Sequence, residues 1–304
     1  MDRTRATRQK TLKSAVRCAG VGLHSGQATT MTLHPAAIDA GITFRRADAG
    51  VEIGANWRNL VSSCLCSTLA ENGVSVGTVE HLMAAFAGLE IDNALVEIDG
   101  AEVPAMDGSA APFVALIERA GVAEQHAPRR AIEVLKPVHV ASEGAEASLE
   151  PAAVFSVNFV IDFASGAVGR QRLAVSPDPM NFRHGIARAR TFGFLEEVQQ
   201  MHAAGLALGG SLDNAVVIGE DGVINKEGLR YRDEFVRHKV LDAMGDLYLA
   251  GGPIIGRFAG HRSGHALNRR LLQRLFADSK AWRFTTLEAE TATAWSEAPH
   301  RATA

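Results

Sequence analysis

The sequence predicts an α+β fold made of two similar halves, and three observations predict it. Short segments alternate polar and apolar residues as half-buried strands do, longer ones carry apolar residues at helical spacing and stop at glycine, and the same order of segments recurs on either side of a polar, proline-containing stretch, Glu124 to Arg130.

In the first half, Thr29 to Leu33 and Ala94 to Ile98 alternate and end in turn-forming residues, so both read as strands. Between them Val79, Leu82, Met83 and Phe86 recur at helical spacing, predicting a helix over 79–89 with Thr78 as its N-cap and Gly88 at its stop. A second helix, over 111–120, is introduced by Asp107, Gly108 and Ser109 and closed by Gly121. The stretch 124–130 then reads as a linker dividing a domain at 1–127 from one at 128–304. Ile132, Val134, Val138 and Val140 begin new strands, and 154–163 supplies another. A helix over 233–250 ends in Gly251, Gly252 and Pro253, the apolar run 254–258 follows, and a last helix covers 267–276. From Thr291 the chain is polar and rich in Ala and Thr, a composition that frays.

At 304 residues, 47% hydrophobic and 21% charged, the chain is long enough for two cores of ordinary size. A formal net charge of -3 gives no basic field for nucleic acid or anionic lipid, so any phosphate must be held locally. The three cysteines, Cys18, Cys64 and Cys66, cannot all pair within one chain, and a reducing, cytoplasmic compartment is expected. Cys64 and Cys66 read as small apolar strand residues on one face. No apolar run reaches the roughly 20 residues that span a bilayer, and Arg17 interrupts the best signal-peptide candidate.

The sharpest chemical pattern is His238, Asp242 and Asp246, whose separation by four residues places an imidazole and two carboxylates on one helical face. An ordinary i,i+4 pair on a solvated face would look the same. Against that, Val240, Leu241, Met244, Leu247 and Tyr248 make the helix strongly amphipathic, and its polar face lacks the usual Lys/Glu mixture. A catalytic metal needs a third protein ligand and an open position for water, and His81 is the best candidate. Its neighbour Glu80 points about 100° away around the helix and could face the bound water. His265, in Ser263-Gly-His-Ala266, would need an orienting carboxylate, which Asp246 can supply. His24, in the glycine-rich stretch 20–26, is either part of a substrate loop or of a tight turn. The remaining histidines show no partner pattern.

These residues sit in a longer set of motifs: Leu12-Lys13 through Gly20-Val-Gly-Leu-His-Ser-Gly26, Thr78-Val-Glu-His-Leu82, Met106-Asp-Gly-Ser-Ala-Ala-Pro-Phe113, Arg190-Thr-Phe-Gly-Phe194, Gly209-Gly-Ser-Leu-Asp-Asn214, Phe235-Val-Arg-His-Lys239, Asp242-Ala-Met-Gly-Asp-Leu247 and Ser263-Gly-His-Ala-Leu-Asn268. In this order, over roughly 8–287, they resemble the UDP-3-O-acyl-N-acetylglucosamine deacetylases of lipid A synthesis. The resemblance implies zinc, or iron in its place, on His81, His238 and Asp242, with Glu80 as general base. It implies that His265, oriented by Asp246, is a second catalytic residue, that Thr191 lies near the oxyanion, and that Phe192 and Lys239 touch substrate. It also implies two similar domains, each a mixed sheet with two helices, packed helix layer to helix layer between the sheets, with a small insert in each. The second insert, 194–218, would form an apolar acyl passage with surface from Leu195, Val198, Leu206, Leu208, Ala215 and Val217. The implied reaction removes the N-acetyl group from an acylated UDP-N-acetylglucosamine, with no nucleic acid, transmembrane segment or obligate protein partner.

Two other readings share part of this pattern. Two histidines and a carboxylate also serve non-haem iron oxygenases, which leave Glu80 and His265 without a role. A non-catalytic nucleotide-sugar binder would not need Glu80 beside an open metal site. Glu80 or His265 could each protonate the leaving amine, and the residues do not choose between them.

Overall fold

The computed structural model describes residues 7–63 and 65–287; Cys64 and the polar tail from Thr291 lie outside them. Two five-stranded sheets carry the two halves. In the first, the spatial order is Val16–Val21, Ala28–Pro35, Ala94–Ile98, Ile42–Arg46, Val51–Gly54; in the second it is Val138–Ser142, Ala145–Glu150, Arg257–His261, Ser156–Asp162, Arg170–Val175. Each central strand is the last of its sheet in chain order, and it runs antiparallel to one neighbour and parallel to the other. Helix α1 (Glu80–Gly88) precedes the central strand of the first half and α2 (Ala111–Ala120) follows it. A short turn, α3 (Pro179–Asn181), runs into a π-helical stretch at Phe182–Ile186, and α4 (Leu195–Ala203) belongs to a small excursion described below. The second half repeats the plan with α5 (Glu234–Tyr248) before its central strand and α6 (His265–Ala277) after it. The expected α+β fold of two similar halves is the fold observed.

The helices meet in the middle. A Cβ added at Gly245 of α5 would lie 2.0 Å from the carbonyl oxygen of Glu80, so the two backbones touch where a side chain would keep them apart. Both helices are buried almost all round, including Glu80, His81, His238, Asp242 and Asp246. The polar face of α5 therefore faces the other half of the molecule and not solvent, so the alternative of an ordinary i,i+4 pair on a solvated face does not hold.

Each half also carries a small sheet outside the repeat. Leu60–Val61, Thr68–Glu71 and Val74–Val76 form one; Phe192–Phe194, Val216–Gly219 and Gly222–Val223 form the other, with α4 connecting its first two strands. Cys66 is buried just before the strand at Thr68–Glu71 and not within it.

Local readings differ in three further places. The stretch read as a linker is a strand, Val122–Pro128, paired antiparallel with Arg8–Leu12, and the next strand, Arg130–Val134, begins almost at once. Thr78 is not the N-cap of α1: that position is Val79, and Thr78, at a φ of 55°, donates its hydroxyl to Glu102 Oε1 at 2.8 Å. The last helix starts at His265, so this histidine is its first residue. Among the described residues no helix is long and apolar enough to cross a membrane.

Candidate active site

The contact of α1 with α5 brings together residues that lie far apart in the chain. His81 Nε2 and His238 Nε2 approach Asp242 Oδ1 at 3.5 and 3.3 Å, and the two imidazoles stand edge to face at 83°. One ligand atom from each of His81, His238 and Asp242 fits within 4.8 Å of the others, and all three residues are buried. His238 Nδ1 lies 3.0 Å from the carbonyl oxygen of Ala189, which fixes the ring as an Nδ1–H donor and leaves Nε2 free to coordinate. Burial holds His238 down to about 4, as suits a neutral imidazole ligand.

Asp242 divides its two oxygens. Oδ2 accepts from Lys239 Nζ at 2.8 Å, while Oδ1, fully buried, has no hydrogen-bond partner among the described residues. A buried carboxylate oxygen left unpaired costs free energy, and a divalent cation between it and the two imidazoles would remove that cost. The donor set of two nitrogens and one oxygen, with a cavity on the remaining side, fits zinc chemistry.

Glu80 and His265 stand beside this set. Glu80 Oε2 accepts the amide of Ser67 at 3.0 Å, and Oε1 lies 3.8 Å from His265 Nε2. Burial raises Glu80 above the ordinary carboxylate range, against the pull of His265 and His81. His265 Nδ1 faces both oxygens of Asp246, at 2.9 and 3.1 Å, so its Nε2 is turned toward Glu80. Burial disfavours the imidazolium, but Asp246, Glu80 and Asp242 outweigh it and hold the ring up to about 10.

A cavity of about 390 Å³ opens over these groups and continues as an apolar passage. Its polar end is formed by Glu80, His81, His238, Asp242, His265 and Thr191. Thr191 is held by main-chain bonds on both sides, its amide to Gly108 and its carbonyl from Val216, and the guanidinium of Arg190 is locked on the wholly buried Glu234. Leu195, Val198, Ala215 and Val217 of the second insert line this cavity, and Phe192 lines it beside them. Leu206 and Leu208 do not: they stand 43% and 54% exposed and outside the lining. Lys239 is also outside it, its ammonium bound to Asp242. His24 lines the cavity from the glycine-rich loop, with a buried Nδ1 that has no hydrogen-bond partner among the described residues.

Several residues were missed by the sequence reading. Met201 and Ile224 line the passage, and Met201 could have been found, because it continues the three-residue spacing of Leu195 and Val198 along α4. Glu102 accepts from the amides of His24 and Ser25 and from the Thr78 hydroxyl, and nothing in its local sequence marks it.

A duplicated α+β fold that closes an imidazole–carboxylate donor set against a buried glutamate, at the head of an apolar passage, defines a hydrolase-type cleft. The chain belongs to the UDP-3-O-acyl N-acetylglycosamine deacetylase family, whose model matches residues 9–277. It is 52% identical over 285 residues to the UDP-3-O-acyl-N-acetylglucosamine deacetylase of Nitrosococcus oceani, covering 92% of this chain and 94% of that one. The deacetylase of the same name from Chromohalobacter salexigens is 49% identical over 291 residues, covering 94% and 96%, and that from Hahella chejuensis is 48% identical over 285 residues, covering 92% and 94%.

Proposed function

We propose that this protein hydrolyses the N-acetyl group of a UDP-3-O-acyl-N-acetylglucosamine, releasing acetate and the free 2-amino sugar nucleotide, in a zinc-dependent reaction. The observation that carries this reading is the unpaired Asp242 Oδ1 between two imidazoles, beside a buried carboxylate and at the head of a passage lined by alkyl groups. His81, His238 and Asp242 would hold the ion, which when bound polarises a carbonyl and acidifies water.

The protein groups divide the remaining tasks. Glu80 takes a proton from water as its oxygen adds to the acetamide carbonyl. The Thr191 hydroxyl, at the same end of the cavity, donates toward the developing oxyanion. As the C–N bond breaks, the nitrogen takes a proton from His265 Nε2, whose ring Asp246 orients. Phe192, Leu195, Val198, Ala215 and Val217 exclude water and hold the acyl chain. Lys239 offsets the Asp242 charge, and through Asp242 the charge of the whole donor set.

The test is acetate release from an acylated UDP-N-acetylglucosamine, with and without a chelator and after zinc is restored. Release that stops on chelation and returns with zinc is expected. Release unaffected by complete removal of metal would overturn the metal-dependent reading, and no release by the zinc-loaded protein would overturn the deacetylase reading.

A further inference from the structure

Ser67, only 5% exposed, lies between the first small sheet and the site, and all three of its polar groups are used there. Its amide donates to Glu80 Oε2 at 3.0 Å. Its carbonyl accepts the amide of Val79, the residue before α1, at 3.2 Å. Its hydroxyl donates to Asp246 Oδ1 at 2.6 Å. Asp246 also accepts from Asn268 Nδ2 at 2.8 Å and from His265 Nδ1. A single residue of the first half is thus bonded both to the carboxylate that takes the proton and to the carboxylate that orients the imidazole on the second half.

We infer that Ser67 is a positioning residue for the reaction: its amide fixes the Glu80 carboxylate, its hydroxyl fixes the rotation of Asp246, and the separation of Glu80 from the His265 ring is set by these two bonds together. A hydroxyl donating to a carboxylate makes a short, charge-assisted bond. Without it, Asp246 keeps, among the described residues, the hydrogen bonds of Asn268 and His265, both from the second half. The inference rests on the deacetylase reading above, because it assigns Glu80 and His265 to opposite proton transfers.

Ser67→Ala isolates the hydroxyl, since the amide to Glu80 stays. The expected result is a fall in kcat of about 10- to 100-fold, the usual effect of removing a group that orients a metal-site residue, with KM and bound zinc unchanged. Ser67→Thr restores kcat. In a His265→Ala background Ser67→Ala adds no further loss, because the hydroxyl acts through Asp246 and His265. A readout independent of turnover is the Nδ1–H proton of His265 in NMR spectra of the metal-free protein, which shifts in Ser67→Ala and not in Ser67→Thr. Wild-type kcat in Ser67→Ala, or equal losses with and without His265, overturns the inference. If Ser67→Ala does not fold, Ser67→Cys, similar in volume with a far weaker donor, carries the same expectations. Absence of acetate release by the wild-type protein overturns the deacetylase reading instead, and the His265 proton still tests the contact.

Discussion

Glu80 and His81 are adjacent in the chain, yet the helix turns them about 100° apart, so His81 reaches Asp242 while Glu80 faces His265. Their losses should therefore be separable. In His238→Ala or His81→Ala, bound metal and turnover should fall together, because Asp242 alone cannot replace a nitrogen ligand. In Glu80→Ala, metal should stay while turnover falls about 10²–10⁴-fold, the usual contribution of a general base. Metal analysis beside acetate assays reads both, and near wild-type turnover in Glu80→Ala would remove its assigned role. His238, Asp242 and Asp246 were legible in the sequence because a four-residue interval fixes a helical face whatever surrounds it, whereas Glu80, His81 and His265 took their roles from the resemblance of the motifs around them. Ser67 was not, because its partner Asp246 is 179 residues away and only tertiary packing joins them. The bond from Lys239 to Asp242 spans three residues on one helix, yet a sequence cannot show which of several charges a lysine will meet.

Helices α1 and α5 are held at a distance that depends on Gly245. A methyl there would press on the Glu80 carbonyl, and neither backbone can move without shifting the site. Gly245→Ala should cost about 1–3 kcal/mol, as overpacking typically does, and should lower turnover, since the strain falls on the residue bearing Glu80. Urea unfolding with acetate assays checks both, and a fully active, undestabilised variant would show that the helices can separate. These helices were legible from their periodicity; their ends were less so, because ends are set by partners. Thr78 looked like a cap, but Glu102 takes its hydroxyl, and the supposed linker became a strand because Arg8–Leu12 offers it a ladder. Glu102 carries a pH prediction of its own. Burial opposes its ionisation, yet the amides of His24 and Ser25 and the hydroxyls of Ser25 and Thr78 more than offset this and hold its pKa below the ordinary carboxylate value. A depressed folded-state pKa contributes stability that is present above the unfolded-state pKa and is lost as pH falls through the folded one. Urea midpoints of Glu102→Gln should thus fall less steeply on acidification than those of the wild type. Parallel acid limbs would mean that Glu102 is not a source of that stability.

The whole molecule closes the passage, because neither half does so alone. Its walls come mostly from the second half, but Gly209 and Leu208 donate their amides to Leu23 and His24 of the first half, and a Cβ at Gly209 would lie 2.1 Å from the Gly22 carbonyl. Two glycine-containing loops from opposite halves thus meet beside the cavity. A passage lined with side chains such as Leu195, Val198 and Ala215 offers a nucleotide sugar little and an alkyl chain much. Each buried methylene contributes about 0.8 kcal/mol, so four or five could supply about 3–4 kcal/mol, on the order of a few hundred-fold in affinity. Part of that should appear in kcat, since an anchored chain positions the acetamide against Glu80. We therefore expect kcat/KM for a long-chain 3-O-acyl substrate to exceed that for UDP-N-acetylglucosamine by on the order of a few hundred-fold. Ala215→Phe, which adds bulk to the passage wall and leaves the metal-ligand residues themselves unchanged, should reduce this preference by slowing the acylated substrate while sparing the unacylated one. Gly209→Val, which pries the two loops apart, should reduce it as well. Measuring kcat/KM for both substrates in all three proteins decides the matter. If the unacylated compound reacts within about tenfold of the acylated one in the wild type, where the burial estimate requires far more, the acyl chain does not use this passage; if only Gly209→Val changes the ratio, the chain passes between the loops and not along Ala215.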